Sequence, residues 1–132
     1  MLGFFKQQEK MDRSTKKRST IDRLSLALAY EHGCDACPLS SRKGNKTRQM
    51  FPSGSDHPLL YNLGEAPGEE EDIRGEPFVG KSGRLLREKL SEVFSKKIPM
   101  RFNNVINCRP PDNRVPTDIE IACCKQRLET DI

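Results

Sequence analysis

The chain has 132 residues, of which 34% are apolar and 32% charged, and its formal net charge is +4 at pH 7. This length and composition are typical of one small domain, and no run of about 18 to 20 apolar residues is present that could cross a bilayer. The first 23 residues lack the apolar core of a secretory signal peptide. We therefore expect a cytoplasmic protein, with no membrane partner.

Residues 1–23 carry the whole net charge of the chain, because acidic and basic residues balance in the remainder. A basic segment of this kind can lie along phosphates and release counterions. Charge runs are also commonly solvated and poorly ordered. We expect residues 1–23 to be a basic, flexible leader and residues 24–132 to be the folded domain.

The spacing of apolar residues predicts three helices and two strands. A helix is expected over about residues 21–31, with Gly33 as its stop, followed by an irregular connection over residues 40–56. A strand (58–63), a long loop (64–80), a helix with Ser82 as N-cap (82–94) and a second strand (102–106) come next. Thr117 and Glu120 predict a capping box at the start of a last helix over residues 118–128. A strand, a helix and a strand in this order predict a parallel βαβ unit, with ligands beyond the carboxyl ends of its strands.

Five cysteines are grouped in the chain, at Cys34, Cys37, Cys108, Cys123 and Cys124. In a chain without a secretion signal, such grouping indicates metal binding more often than disulfides. Cys34 and Cys37 lie on one turn, and two further thiolates could join them from a distant loop and helix, where Cys123 and Cys124 compete for one position. Zinc and an iron-sulfur cluster both suit four cysteines, and thiols without metal are the alternative.

The segment GEAPGEEED, which starts at Gly64, is the most informative part of the sequence. Its small residues allow a ligand to approach the backbone. Glu65 follows a predicted strand, where a carboxylate can position water or accept a hydrogen bond. The four successive acids argue against phosphate binding here, and we expect most of them to be solvated.

Three further places carry polar or aromatic groups with two interpretations each. Phe78 lies in a glycine-flanked loop, where it could stack on a base or anchor the loop in the core. Asn103 and Asn104 are expected to begin the second strand, where an amide could contact a base edge or be satisfied within the protein. Arg109 and Arg114 lie on the following loop and could hold phosphates or be solvated.

The chain closely resembles the family 4 uracil-DNA glycosylases, the iron-sulfur members of their superfamily. Five segments carry the resemblance, in the order and with nearly the spacing of the family: CDACPL from Cys34, GEAPGEEED from Gly64, GEPFVGKSGRLL from Gly75, NVINCRPPDNRVP from Asn104 and EIACC from Glu120. Related domains occur with phage-type DNA polymerases, so a bacterial or phage source is expected.

The resemblance implies a three-layer α/β/α fold with a parallel βαβ core and a 4Fe-4S cluster, zinc being the alternative metal. It also implies cleavage of the N-glycosidic bond of uracil in single- or double-stranded DNA, after the nucleotide is flipped into a pocket. The cluster ligands that it implies are Cys34, Cys37, Cys108 and Cys124, with Cys123 left spare.

The motif positions also assign roles to single residues. Glu65 and Asn104 are the implied catalytic residues, the first managing the water and the second contacting the polar edge of uracil, on which Phe78 would stack. The remaining substrate-binding residues implied are Gly64, Ala66, Pro67 and Gly68. Contacts to DNA are expected from Lys81, Ser82, Arg109 and Arg114.

Members of the family continue past Cys124 into further strands and a His-Pro segment that stabilises the uracil anion, whereas this sequence ends at Ile132. Losing such a donor commonly costs about 2.7 to 4 kcal/mol. We therefore expect a truncated version of the fold, active only if another segment or a second chain completes it. The alternative is a non-catalytic 4Fe-4S module that binds DNA or a replication or defence protein.

Overall fold

The computed structural model describes residues 23–94 and 96–132. Residues 23–32 are helical (α1), and the helix gives way at Gly33 to a 3₁₀ turn, Gly33–Asp35. Gly33 has a φ of 54°, the left-handed conformation in which helices end, so its predicted role as the stop is confirmed. The predicted start of this helix and the basic leader, apart from Arg23, lie outside the described residues.

The described strands form one small mixed sheet. It contains β1 (Ser53–Gly54), β2 (Leu60–Gly64) and β3 (Met100–Asn104), in the order β1-β3-β2. β2 and β3 are parallel, and their register runs from Leu60 opposite Met100 to Gly64 opposite Asn104. The parallel pairing predicted from the βαβ pattern is confirmed. β1 is antiparallel to β3 and was not predicted, because two residues carry no periodicity.

Three helices follow the first: α2 (Glu69–Arg74), α3 (Lys81–Val93) and α4 (Asp118–Asp131). The loop predicted over residues 64–80 was wrong in part, since it contains α2. Gly80, rather than the predicted Ser82, is the N-cap of α3. The capping box of Thr117 and Glu120 is confirmed. None of the helices within the described ranges is long and apolar enough to span a membrane.

Helices contact both faces of the sheet, because side chains alternate along β3. Phe102 faces α3, where the guanidinium carbon of Arg87 lies 3.8 Å from the centre of its ring. Arg101 faces the other way and binds Asp131 of α4. The predicted α/β class is thereby confirmed.

One cluster of buried apolar residues lies between α1, α4 and the loop after β3. Four of its seven members are cysteines, and the full set is Ala29, Cys37, Leu39, Ile106, Cys108, Cys123 and Cys124. A core in which thiols outnumber aliphatic side chains buries little apolar surface. We infer that contacts other than hydrophobic burial contribute much of the stability.

One such contact is the polar network that fixes the end of α4 to the sheet. Arg101 Nε donates to both carboxylate oxygens of Asp131, at 3.0 and 2.9 Å. Tyr61 Oη also donates to this carboxylate, and Asn103 Nδ2 donates to Tyr61 Oη at 2.9 Å. The guanidinium of Arg101 holds the pKa of Asp131 below its usual value. The network therefore stabilises the fold while the carboxylate is ionised.

We predict that Asp131→Asn lowers the free energy of unfolding at pH 7 by about 2 kcal/mol, because it removes a charged acceptor from three donors. Since the pKa of Asp131 is lowered by folding, its contribution is complete above the unfolded pKa of about 4 and is lost as the pH falls below that value. Urea titrations of both proteins at pH 7 and at pH 3 measure this, with the difference expected to shrink at pH 3. The exposed Glu31→Gln is the control; equal stability of wild type and Asp131→Asn at pH 7 would contradict the prediction.

Candidate functional site

A cavity of about 250 Å³ opens beyond the carboxyl ends of β2 and β3. Its lining includes six residues that the sequence assigned to a site, together with three that it did not. The lining residues are Gly64, Glu65, Ala66, Glu71, Phe78, Ser82, Gly83, Leu86 and Asn104. The larger groove of about 690 Å³ between α3 and the start of β3 contains none of the predicted site residues. The smaller cavity is therefore the candidate site.

Gly64 forms a part of the cavity wall where no side chain fits. A Cβ atom added to it would lie 2.3 Å from Asn104 Oδ1 and 2.9 Å from Phe78 Cζ. Backbone pairing continues past this point, since Val105 N–H donates to Gly64 O at 2.8 Å and Ile106 N–H donates to the next carbonyl at 3.1 Å. The loop that starts after β2 is therefore fixed against the end of β3.

Phe78 is held in a strained conformation beside the cavity. Its φ of 59° is uncommon for a residue with a side chain. Arg87 Nε donates to the Phe78 carbonyl at 3.0 Å, and a Cβ atom on Gly83 would lie 2.4 Å from the Phe78 carbonyl carbon. The Phe78 ring centre lies 5.4 Å from that of Phe102. One edge of Phe78 thus contacts the core while the residue lines the cavity.

Asn103 and Asn104 end β3, rather than begin a strand as predicted, and they point to opposite faces. Asn103 Nδ2 donates to Tyr61 Oη and to Asp131 on the α4 side. Asn104 is 5% exposed and lines the cavity. No other described residue forms a hydrogen bond with the side-chain amide of Asn104. A donor and an acceptor are therefore available to a ligand at this position.

Two carboxylates line the cavity, one exposed and one hydrogen-bonded within the protein. Glu65 is exposed, as expected for a group that contacts water. Glu71 instead accepts a hydrogen bond from Gly80 N–H at 3.0 Å, and Cβ atoms on Gly68 and Gly80 would lie 2.8 and 2.9 Å from its carboxylate oxygens. Glu71 therefore fixes α2 to the start of α3.

Sequence reasoning missed Glu71, because it is the third of four successive acids. The signal that could have found it is its place at the third position of α2 after the N-cap Gly68. Glutamate is favoured at that position, where its carboxylate can reach free N–H groups at a helix start. Here the N–H that it reaches belongs to the next helix.

The other predicted site residues lie around or away from the cavity. Pro67 is buried and Gly68 is the N-cap of α2. Lys81 is exposed in the first turn of α3. The arginines of the loop after β3 do not line the cavity.

Both of those arginines have partners within the protein. Arg109 Nε donates to Asn113 Oδ1 at 2.8 Å. Arg114 binds both carboxylate oxygens of the buried Glu120, at 2.9 and 2.6 Å. Arg114 holds the pKa of Glu120 below its usual value, although burial opposes this. The pairing gives Arg114 a role in fixing the loop to α4.

The five thiols lie near one another, and none of them lines the cavity. Cys34 is partly buried and the other four are buried. Burial, together with the nearby thiols of Cys124, Cys37 and Cys34, raises the pKa of Cys108 to about 12. Three of the four predicted ligands, Cys37, Cys108 and Cys124, belong to one buried cluster, and Cys34 lies near enough to influence the Cys108 thiol. Cys123, which the sequence left spare, is buried in the same cluster.

The donor set of this thiol cluster fits a metal centre. Sulfur donors from four cysteines are the usual ligands of both structural zinc and iron-sulfur clusters. Gln49 Nε2 lies 3.5 Å from Cys34 Sγ and Arg127 Nη1 lies 3.9 Å from it, as the donors that commonly surround such sulfurs do. Within residues 23–94 and 96–132, no group of three His, Cys, Asp or Glu side chains is arranged so that it could hold a metal ion. The fit is one of residue type, burial and proximity.

A family model and several curated proteins both match this sequence. Residues 51–132 match the family model described as Uracil DNA glycosylase superfamily. The chain is 44% identical over 91 residues to the Type-4 uracil-DNA glycosylase of Thermotoga maritima, 40% over 95 residues to that of Archaeoglobus fulgidus and 34% over 113 residues to that of Saccharolobus solfataricus. These alignments cover 69%, 72% and 85% of this chain and 46%, 46% and 51% of the relatives. The chain thus spans about half the length of the curated relatives it matches.

We predict that Gly83→Ala destabilises the protein, although glycine to alanine within a helix ordinarily stabilises by about 1 kcal/mol. The added methyl group would overlap the Phe78 backbone. Overpacking of this kind costs about 1 to 3 kcal/mol, measurable by urea denaturation. Ser82→Ala, at an exposed neighbouring position, should change stability by less than about 0.5 kcal/mol. A more stable Gly83→Ala protein would show that the loop does not pack against α3 as described.

Proposed function

Because this chain belongs to the uracil DNA glycosylase superfamily, we propose that its cavity receives a uracil flipped out of DNA and that the protein releases the base by hydrolysis of the N-glycosidic bond. The resemblance to family 4 inferred from the five motifs is confirmed by the comparisons. The cavity volume of about 250 Å³ leaves room for a single base. The observation that carries the proposal is the convergence of Phe78 and Asn104 on Gly64 at this cavity.

In this proposal, Phe78 and Asn104 recognise the base. Stacking on an aromatic ring contributes about 1 to 3 kcal/mol per base and does not depend on its identity. The amide of Asn104 supplies identity, because uracil presents an acceptor and a donor side by side and an amide complements both. Gly64 allows the base to approach both groups.

Glu65 is proposed to position the attacking water. Its carboxylate is exposed at the cavity, and its backbone carbonyl is fixed by the N–H of Ile106. A carboxylate there can orient a water molecule and stabilise the positive charge that develops on the sugar as the bond to the base breaks. Gly64, Ala66, Pro67 and Gly68 shape the wall around it.

Contacts to the DNA backbone are proposed at two places. Lys81 and Ser82 lie in the first turn of α3 beside the cavity, where helix N–H groups and a lysine favour phosphate. Arg109 is proposed to contact phosphates farther along the strand. Arg114 could share that role only through N–H groups that its carboxylate partner leaves free. Binding of a replication protein or of a second chain is a further prediction of this proposal.

We propose that Cys34, Cys37, Cys108 and Cys124 hold a 4Fe-4S cluster, with zinc as the alternative. When bound, the cluster links the turn after α1, the loop after β3 and α4, and it supplies the stability that a thiol-rich core lacks. The chemistry of base release is assigned to the cavity residues.

The function is tested by incubating the protein with uracil-containing single-stranded and double-stranded oligonucleotides, followed by alkali. Strand cleavage at uracil and none at thymine is expected. Tight binding of uracil-containing DNA without release would instead favour a non-catalytic module. Absence of both binding and release at protein concentrations well above that of DNA would overturn the proposal.

We predict that Asn104→Asp lowers the rate of uracil release by about 100-fold, because a carboxylate lacks the N–H donor that the base would accept from. The initial rate on a single-stranded oligonucleotide measures this. Gln126→Glu, which makes the same amide-to-carboxylate change at an exposed position of α4 away from the cavity, is the control. Release by Asn104→Asp at the wild-type rate would remove this amide from base recognition.

We predict that Cys108→Ser loses bound iron and unfolds at a lower temperature, since a hydroxyl is a poor ligand in place of thiolate. Iron analysis, visible absorbance and thermal melting measure the change, and zinc in place of iron would give a colourless protein. Cys123→Ser should keep its iron, because Cys123 is not one of the four proposed ligands. If Cys108→Ser matches wild type in colour and melting temperature, the cluster assignment is wrong.

A further inference from the structure

Cys34 differs from the other four cysteines because it alone is partly exposed. Two N–H donors approach its sulfur from separate parts of the chain. Gln49 Nε2 donates to Cys34 Sγ at 3.5 Å from the segment before β1, and Arg127 Nη1 lies 3.9 Å from the same sulfur. The most solvent-accessible sulfur therefore has the most polar surroundings.

Both donors are held in place. The guanidinium carbon of Arg127 lies 5.5 Å from the ring centre of Phe51, a cation–π contact. Between Gln49 and Phe51, Met50 N–H donates to Asn107 O at 2.6 Å and Met50 O accepts from Asn107 Nδ2 at 2.9 Å. Residues 49–51 are thereby fixed to the backbone that leads into the thiol cluster. Gln49 and Arg127 are therefore already in position beside Cys34 before a cluster binds.

The charge of Arg127 is also available to the thiols. No described Asp or Glu forms a salt bridge with it. Arg42, which also lies near Cys34, is instead paired with Asp35. Arg127 lies one turn after Cys124 on the same helix, so α4 supplies a ligand and a compensating cation together.

Resting on the proposed 4Fe-4S cofactor, we propose that Arg127, assisted by Gln49, is a positioning residue that holds the Cys34 thiolate toward the cluster site and offsets its negative charge. Hydrogen bonds and positive charge at a ligating sulfur favour the thiolate and raise the reduction potential of an iron-sulfur centre. With Arg127 held beside the partly exposed Cys34, iron is lost more slowly in this proposal.

The test compares the wild-type protein with Arg127→Gln, Arg127→Lys and Lys125→Gln, each reconstituted with iron and sulfide without oxygen. Lys125→Gln is the matched control, since it removes one positive charge from the same helix at an exposed position paired with Glu129. The readouts are the reduction potential of the centre and the rate at which a chelator removes iron. Neither depends on uracil release.

We expect Arg127→Gln to lose iron about 10-fold faster and to have a lower reduction potential, because removing an outer partner of a metal ligand commonly weakens binding 10- to 100-fold. Arg127→Lys should lie between it and wild type, and Lys125→Gln should match wild type. If Arg127→Gln keeps the wild-type potential, whether or not it melts earlier, the proposal is wrong. A wild-type protein that binds no iron overturns the cofactor as well, whereas iron binding without uracil release affects only the proposed activity.

Discussion

Parallel hydrogen bonding between β2 and β3 determines where the candidate site of this protein lies. The two strands end level with each other, because Gly64 pairs with Asn104. Pairing then continues for two residues into the following loops. The carboxylate of Glu65 and the amide of Asn104 are therefore brought to one cavity by backbone geometry alone, and Phe78 bounds it from the side of α3.

Features that depend on neighbouring residues could be predicted from the sequence, and features that depend on distant partners could not. The capping box of α4 is encoded within four residues and was predicted correctly. The sequence placed the N-cap of α3 at Ser82, whereas the structure has Gly80 there. The difference arises because the N–H of Gly80 donates to Glu71, which belongs to the preceding helix. The short strand β1 exists only through its pairing with β3.

The candidate site shows the same division. The glycine-rich motif placed Gly64 and Glu65 correctly at the end of a strand, and the structure brings Phe78 to the same cavity. Which of two adjacent asparagines faces that cavity depends on strand register, so the residue pattern alone left Asn103 and Asn104 equivalent and only the family resemblance selected Asn104. The structure separates them by their partners on opposite faces.

Only three residues separate Asn104, which lines the cavity, from Cys108 in the thiol cluster. Each intervening residue is fixed: Val105 and Ile106 by the ladder, and Asn107 by its two bonds to Met50. A segment so short and so fully bonded transmits displacement rather than absorbing it. Substitutions near Asn104 will therefore also displace the far end of this segment, so the shape of the cavity and the shape of the thiol cluster are mechanically coupled.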